Sequence, residues 1–405
     1  MSLEEAVRTV ANRIRRQEYV EVYAHHDADG IAAGAILCHA MLRGGIRFRL
    51  RVCAEVDPAG LNRDFASLLC DLGSGMENLP RETIVVDHHL PRFEGEFHAN
   101  PRLFGIDGDL YLSAAGVAYL VACEMGENRD LAGLVMPGII GDGQKLAGKN
   151  LEIFNEGVGN GIISTDRGLT LPGQDMPGRW LAAISPYLEG ISGDETAVAA
   201  LVGDAQGDRD MRLENLLTIA MLRAAPHTSE KSLFMLYGDT FRLQREVIED
   251  AHTLAAVIDA CGKSGNGDIG AELCLRSSRE VDRACSIAWQ HRLRVIEAIR
   301  AIQPSTMTTP VCEVRDSSLA SDVADVLARD RVHATPVLVY ARSGDACRIS
   351  ARSPPGTAAD IGPVVRDLAT ACGGSGGGHR DRAGATIPCD RLEMFVQGWK
   401  EAFAA

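Results

Sequence analysis

The chain lacks the long apolar runs of membrane proteins. No stretch of about 18 consecutive apolar residues occurs in its 405 residues, which argues against a transmembrane helix. Its beginning is already charged at Glu4 and Glu5, so the apolar segment of a signal peptide is not expected there. We therefore predict a cytoplasmic protein that has no membrane partner.

Cysteines in CxxC spacing are also missing. The eleven cysteines are scattered and odd in number, which argues against a disulfide framework and against a zinc knuckle. We interpret them as small buried hydrophobic residues. Aromatic residues make up 5% of the chain, and the three tryptophans are isolated, so the sequence predicts no base-stacking surface.

Net positive charge is absent as well. With 41 basic and 55 acidic residues, the formal charge is −14, which excludes the uniformly basic surface of a non-specific duplex DNA binder. A polyanionic substrate must therefore be bound locally. Only five basic residues are lysines, so local phosphate contacts would be made mainly by arginine.

Length and periodicity predict an α/β protein of several domains. A capping-box pattern at Ser2 to Glu5 predicts an opening helix. The segments 19–24, 30–42 and 46–52 then read as a strand, a helix and a strand, and this alternation predicts a mostly parallel sheet. Apolar runs at 67–70, 83–86, 103–106 and 114–123 continue the pattern.

The later part of the chain divides into helical and mixed segments. Residues 213–223, 241–261 and 281–302 carry helical patterning, with a glycine-rich turn at 262–267. Strand-like runs at 310–314, 335–340 and 347–351 then alternate with helix-like runs. We predict an N-terminal, mostly parallel-sheet α/β domain at 1–205, a helical connector at 206–303 and a smaller α/β domain at 304–405, with an active-site groove between the two α/β domains.

Four segments rich in aspartate and histidine each follow an apolar run that we interpret as a strand. They are His25–Gly30 (HHDADG), Asp71–Gly73 (DLG), Asp87–His89 (DHH) and Gly141–Gly143 (GDG), the last after Pro137–Ile140. Because the carboxyl ends of neighbouring parallel strands border one crevice, we expect these segments to meet in a single site.

The chemistry of this set favours divalent cations. It offers carboxylate oxygens and imidazole nitrogens without thiolates, which suits Mn²⁺ or Mg²⁺ better than structural zinc. So many acids close together would repel one another unless cations were bound. Two cations held by such ligands are a standard arrangement for phosphodiester hydrolysis.

In this order, HHDADG, DLG, DHH and GDG resemble the four motifs of the DHH phosphoesterase superfamily. The run Gly373–His379 (GGSGGGH) resembles the GGGH motif of the DHH-associated domain in RecJ-like nucleases. Segments 112–118 and 190–195 look most like archaeal RecJ-like proteins, among them the GINS-associated nuclease.

The resemblance implies a role for each residue of these motifs. His25 and Asp27 would bind one metal ion, and Asp29, His88 and Asp142 the other, with Asp71 bridging both. His89 would face the scissile phosphate, and Asp87 would hold a histidine by its other ring nitrogen. These metal-binding and catalytic assignments leave His26 outside the site.

The glycine run predicts a second kind of site. Consecutive residues without Cβ allow the backbone to approach a phosphate closely and to present its N–H groups to it. We predict that Arg352, Gly376, Gly377, Gly378 and His379 bind substrate phosphates, with the glycines forming a loop.

The sequence thus predicts a metal-dependent exonuclease of RecJ type, specific for single-stranded DNA or RNA, with two divalent metal ions. One alternative keeps the chemistry but changes the substrate to short oligonucleotides or to nucleotides such as pAp, as in nanoRNases. Another alternative is a replisome-associated scaffold with weak or no nuclease activity. The predicted partners are single-stranded nucleic acid and replisome components such as GINS.

Overall fold

The computed structural model describes residues 2–76, 78–205, 209–226, 228–302, 310–330 and 335–403. The chain folds into two compact units, residues 1–166 with 239–288, and residues 167–238 with 289–405. No helix within the described ranges is both long and apolar enough to span a membrane.

The first unit is built on a parallel sheet. Its elements up to residue 159 are α1 (Leu3–Arg15), β1 (Tyr19–His25), α2 (Ala28–Arg43), β2 (Arg47–Cys53), β3 (Ala66–Cys70), β4 (Ile84–Val86), β5 (His98–Ala99), α3 (Ala114–Met125), α4 (Val135–Gly141) and α5 (Gly148–Gly159). The strand order is β2-β1-β3-β4-β5, and every pair in it is parallel. The predicted capping box opens α1, where the Ser2 hydroxyl accepts from the Glu5 amide and the Glu5 carboxylate accepts from the Ser2 amide.

The middle of the chain contributes to both units. Its elements are β6 (Ile163–Leu169), α6 (Met176–Leu181), α7 (Glu195–Asp204), α8 (Arg209–Ala224), α9 (Glu230–Phe234), β7 (Tyr237–Leu243), α10 (Ala251–Lys263), α11 (Gly267–Cys274) and α12 (Val281–Ala301). The predicted turn at 262–267 is confirmed between α10 and α11. Both helices belong to the first unit, and α10 packs against α2 and α4.

The C-terminal part has its own sheet. Its elements are β8 (Val311–Glu313), α13 (Ala320–Arg329), β9 (Val337–Ser343), β10 (Ala346–Arg352), α14 (Ile361–Ala371), β11 (Ser375–Gly378), β12 (Arg382–Pro388) and α15 (Leu392–Phe403). The strand order is β11-β12-β10-β9-β8, antiparallel except for β8 beside β9. The predicted α/β class, with a parallel-sheet first part and a smaller sheet-and-helix second part, is confirmed.

Three local predictions are wrong. Residues 103–106 are not a strand: Leu103 lies in a 3₁₀ turn that begins at Pro101, and the Asn100 side chain caps it. Residues 241–243 belong to β7 rather than to a helix. Residues 137–140 form part of α4, because an apolar run of four residues does not by itself distinguish a buried strand from a buried helix.

The predicted three-part domain division remains a prediction. Its boundaries, after residues 205 and 303, fall on or beside residues outside the described ranges. The core of the first unit includes side chains from both α2 and α10, such as Ile36 and Ile258. A separate core in the C-terminal sheet contains Phe395 and Trp399 of α15.

Candidate metal centre

Three of the four motifs lie at the carboxyl ends of adjacent strands. β1 ends at His25, and its register pairs Ala24 with Cys70, directly before Asp71. The Asp71 amide donates to the carbonyl of Val86, directly before Asp87 (2.8 Å). These loops therefore border one edge of the sheet, as expected for parallel strands.

The first motif also begins helix α2. Asp27 is the N-cap residue, and its Oδ1 accepts from the Gly30 amide at 2.9 Å, while Asp29 lies in the first turn. The positive end of the helix favours carboxylates at both positions. Gly30 is required here, since an added Cβ would lie 2.5 Å from the Cβ of His25.

Asp71 lies at the centre of the site. Its Oδ2 is 3.3 Å from His25 Nδ1, and its Oδ1 is 3.3 Å from both His88 Nε2 and His89 Nδ1. Its backbone has a φ of 59°, which is uncommon for a residue other than glycine and is typical of functional turns. The turn directs a buried carboxylate towards side chains from two neighbouring loops.

The remaining predicted ligands converge on the same place. His88 Nε2 lies 3.3 Å from Asp142 Oδ2 and 3.8 Å from Asp29 Oδ2. Three groups, each with ligand atoms within 4.8 Å of one another, have the geometry to hold a metal ion: His25, Asp27 and Asp71; Asp29, His88 and Asp142; and Asp71, His88 and His89. We call these seven side chains the histidine–aspartate cluster.

The cluster's charges and hydrogen bonds fit divalent cations. Asp71 Oδ1 is buried without a hydrogen-bond partner. Burial, together with Asp142 and Asp71 nearby, raises the pKa of Asp29 well above its usual value, so the carboxylates need added positive charge. Oxygen and imidazole donors in this number suit Mn²⁺ or Mg²⁺.

The imidazoles respond to the same excess of negative charge. Burial alone would lower the pKa of His25 and of His88, but the neighbouring carboxylates raise both well above the usual value. Burial likewise would raise the pKa of Asp27, yet His25 lowers it well below normal. Cation binding would therefore displace protons from these rings.

Asp87 holds the two histidines that follow it. Its Oδ1 accepts from the His89 ring at Nδ1 (2.7 Å) and from the amide of His88 (2.7 Å). Its Oδ2 accepts from the Ser74 amide at 2.9 Å. The ring of His88 is oriented by a different group. Its Nδ1 donates to the Gly108 carbonyl (2.7 Å), which leaves Nε2 directed at the carboxylates.

Sequence reasoning missed the groups that hold Asp29. The amides of Ala114 and Ala115, at the beginning of α3, donate to its two carboxylate oxygens at 2.7 and 2.8 Å. Gly138 of α4 packs so closely that an added Cβ would lie 2.1 Å from Asp29 Oδ1. In the sequence, only the resemblance of segment 112–118 to RecJ-like proteins drew attention to these residues, and that resemblance implied no role for the segment.

The fourth motif lies at the end of a helix and not, as predicted, at the end of a strand. Asp142 caps the carboxyl end of α4 instead of following a strand. Gln144, which was also missed, donates through Nε2 to the Gly108 carbonyl (2.9 Å) that orients His88. The nearby Arg102 Nε donates to the His88 carbonyl at 2.9 Å. The motif therefore supplies one candidate ligand and one residue that supports another ligand.

The residues predicted to bind substrate lie in the C-terminal sheet. Gly376, Gly377 and Gly378 belong to edge strand β11, so the predicted glycine loop is wrong. Packing explains why position 376 is a glycine, since an added Cβ there would lie 2.9 Å from the Cβ of Ala369. An added Cβ at Gly377 would meet nothing within 4 Å.

Arg352 and His379 lie at one end of this sheet. Arg352 pairs in register with Arg382, whose carbonyl accepts from the His379 amide at 2.7 Å. The Arg352 guanidinium is also held by Asp325, with Nε and Oδ1 2.7 Å apart. Arg382 is thus a cationic residue of this end that sequence reasoning missed.

Comparison with known proteins supports the same description of the fold. Residues 313–405 match the family profile of the DHHA1 domain. Over 98% of its length the chain also superposes on RecJ of Thermus thermophilus, solved with Mn²⁺, with a TM-score of 0.59 and 19% identity. This chain has a RecJ-like fold. It spans 54% of that RecJ chain.

Two further proteins resemble this RecJ-like chain along most of its length. CDC45 from Entamoeba histolytica aligns with 100% of this chain and 99% of its own, with a TM-score of 0.59 and 12% identity. The uncharacterized protein MJ0831 of Methanocaldococcus jannaschii is 26% identical over 406 residues, covering 94% of this chain and 92% of its own.

Proposed function

We propose that this chain is a metal-dependent phosphodiesterase that removes nucleotides from single-stranded DNA or RNA. The observation that carries the proposal is the histidine–aspartate cluster, in which carboxylates and imidazoles from four motifs lie close enough together to hold metal ions, with Asp71 Oδ1 buried and without a hydrogen-bond partner. The RecJ-like fold and the DHHA1 domain support the assignment of a phosphoester substrate.

The grouping of the side chains supports the assignment of ligands for two divalent cations that the motifs imply. His25 and Asp27 would hold one, Asp29, His88 and Asp142 the other, and Asp71 would contribute to both. The chemistry that such cations supply is neutralisation of charge on the phosphoryl oxygens and a lowered pKa for the attacking water.

His89 would bind the phosphate itself. Burial opposes its protonation, but Asp87 raises the pKa of His89 to about 9, so the ring is an imidazolium at pH 7. With Nδ1 held by Asp87, Nε2 is the nitrogen that would donate to a phosphate oxygen. A fixed cation at this position stabilises charge that develops during attack on phosphorus.

The cationic end of the C-terminal sheet would bind phosphates of the nucleic acid. Arg352, Arg382 and His379 lie side by side there, and Arg352 is oriented by Asp325. The edge strand β11 adds backbone groups beside them. Such contacts position a nucleic acid without reading its bases, which suits a substrate that is bound regardless of sequence.

The test is a nuclease assay on the purified chain with single strands labelled at either end. We expect release of labelled nucleotides from single-stranded DNA or RNA with Mn²⁺ or Mg²⁺, none with a chelator, and no degradation of blunt duplex. The variant Asp142→Asn should be inactive, whereas Asp64→Asn, an exposed carboxylate in the same unit, should retain full activity. Equal activity of Asp142→Asn and the parent would contradict the assignment.

The length of the substrate needs a separate measurement. Comparing rates on two-nucleotide and thirty-nucleotide single strands separates an exonuclease from the nanoRNase-type alternative, because a nanoRNase prefers the short substrate whereas an exonuclease also degrades the long one. All five aspartates of the motifs are present, and this favours an active enzyme over an inactive scaffold. Binding to replisome components such as GINS remains a prediction, which a pull-down from cell extract tests independently.

The glycine strand allows a selective test of substrate binding. A Cβ at Gly377 has open space around it, so Gly377→Ala should fold and bind metal like the parent. If a substrate phosphate lies against β11, the KM of the variant for the thirty-nucleotide substrate should be about tenfold higher than that of the parent, equivalent to ~1.4 kcal/mol, with little change in kcat. An unchanged KM would remove Gly377 from the substrate-binding residues.

A further inference from the structure

Two cysteines that are distant in sequence are in contact in the C-terminal sheet. Cys347 lies near the beginning of β10, and Cys389 follows directly after β12. Their Sγ atoms are 2.7 Å apart, closer than sulfur atoms in ordinary van der Waals contact. Both are free thiols here.

The strand register explains why the two thiols meet. Cys347 pairs with Ile387, and the Cys389 amide donates to the Asp345 carbonyl at 2.8 Å, which continues the antiparallel ladder beyond β12. Cys389 is therefore two positions from the residue opposite Cys347, and side chains two positions apart lie on the same face of a strand. The sheet itself holds the sulfur atoms together.

The two thiols differ in accessibility. Cys347 is fully buried, whereas Cys389 is partly exposed. Burial and the neighbouring thiol raise the pKa of Cys347 to about 12, so Cys347 is protonated at neutral pH. Because the thiolate is the reactive form and must also be reachable, Cys389 is the thiol that an oxidant in solution would meet first.

We propose that Cys347 and Cys389 form a reversible disulfide when the protein meets a low-molecular-weight disulfide such as oxidised glutathione. The Cys389 thiolate attacks one glutathione sulfur, forming a mixed disulfide and releasing one glutathione thiol. The sulfur of Cys347 then attacks the sulfur of Cys389, losing its proton as the second glutathione thiol leaves. Two protein thiols are oxidised, and one glutathione disulfide is reduced to two thiols.

The position of the cross-link indicates its effect. The segment between residues 347 and 389 contains α14, β11 and all five residues predicted to bind substrate. Closing this segment into a loop restricts the unfolded chain and should stabilise the C-terminal sheet. Arg352 lies at the other end of β10 from Cys347, and His379 is bonded to its partner Arg382 there, so the cross-link forms away from both residues.

The experiment uses the full chain, reduced and then incubated with oxidised glutathione. Peptide mapping without reductant should show a Cys347–Cys389 cross-link and a loss of two hydrogens, which dithiothreitol reverses. The melting temperature of the second unit should rise by at least about 4 °C on oxidation. The variant Cys389→Ser should show neither change, and Cys312→Ser, a partly buried cysteine of the same unit, should behave like the parent.

Three results would overturn the proposal. They are a mixed disulfide that persists at Cys389, a cross-link between other cysteines, or thiols that stay reduced under conditions that oxidise a model dithiol. Should Cys389→Ser fold poorly, Cys347→Ala provides the same test, since alanine fits a small buried position. A cross-link that leaves the melting temperature unchanged would exclude the stabilising role.

Discussion

The first unit contains two clusters of acidic residues, and the negative charge of each cluster is compensated in a different way. In the histidine–aspartate cluster, buried carboxylates contact imidazoles and one another. In the second, which we call the arginine-paired cluster, Asp130 and Glu246 are paired with Arg43 and Arg276. Two carboxylates and two guanidinium groups cancel, so this cluster is neutral within the protein.

In the arginine-paired cluster, each guanidinium group is hydrogen-bonded to a carboxylate from a distant part of the chain. Arg43 holds both oxygens of Asp130, at 2.7 and 2.8 Å, and Arg276 reaches Asp130 at 2.7 Å and the buried Glu246 at 3.1 Å. Arg43 in particular lowers the pKa of Asp130 far below its usual value. An acidic cluster neutralised by arginine is suited to a structural role, whereas one balanced only by protons on imidazoles and carboxylates is suited to binding a cation that displaces those protons.

The largest expected effect is on catalysis, from Asp71→Asn. This change removes the central carboxylate of the histidine–aspartate cluster, and activity on single strands should fall by more than about 100-fold, beyond what loss of a supporting residue costs. Initial rates measure it, with Asp64→Asn as the control. A loss below tenfold would show that Asp71 is not central.

The next effect is on stability in the presence of metal. Mn²⁺ at about 100 times its dissociation constant should stabilise the parent by about 2.7 kcal/mol for each site that it fills, because it binds only the folded cluster. Asp142→Asn should lose most of the gain at the one site to which Asp142 contributes.

The metal-dependent gain in stability is measured by thermal melts with chelator and with Mn²⁺. Asp130→Asn is the matched control, because it makes the same substitution in the arginine-paired cluster and should leave the metal-dependent gain intact. If both variants responded to Mn²⁺ alike, the distinction between the clusters would fail.

A smaller effect should come from crowding the metal centre without changing its charge. In Gly138→Ala, the added Cβ would lie 2.1 Å from Asp29 Oδ1, so that carboxylate must move. Metal affinity should fall by about 10- to 100-fold, as for residues that orient ligands. Titration calorimetry with Mn²⁺ measures this, and Gly159→Ala, where an added Cβ meets nothing within 4 Å, is the control.

The smallest effect is the acid sensitivity of the arginine-paired cluster. Asp130 has a lowered pKa in the folded state, so its contribution is present above its unfolded pKa of about 3.9 and is lost as the pH falls below that value. Asp130→Asn should cost about 1 kcal/mol at pH 7, a small value because the side chain is partly exposed, and should flatten the loss of stability in acid. Urea melts from pH 7 to pH 3 test the sign.

Much of the metal centre could be predicted because its residues lie in local motifs. Asp71 and Asp87 each follow a buried apolar strand, and parallel strands place such positions at one edge. Asp142 was found by its motif although the element before it was predicted as a strand and is a helix. A run of four apolar residues fits both the helical and the strand periodicity. The roles of these residues as metal ligands remain predictions.

The supporting residues could not be predicted in the same way. The Ala114 and Ala115 amides act on Asp29 through backbone groups that every residue possesses, so no side-chain pattern indicates them. The contact of Cys347 with Cys389 depends on strand register across 42 positions, and the irregular cysteine spacing concealed it. Gly377 and Gly376 look identical in sequence, and only packing distinguishes them.

The sequence by itself determined the α/β class, the order of the motifs and the identity of the candidate ligands, since each depends on residue type and short-range periodicity. Tertiary structure alone decided which carboxylates crowd one another, which are neutralised by arginine and which thiols touch. The physical reason is that electrostatic energy and sulfur chemistry depend on separations of a few ångströms between residues far apart in the chain, and folding alone sets those separations.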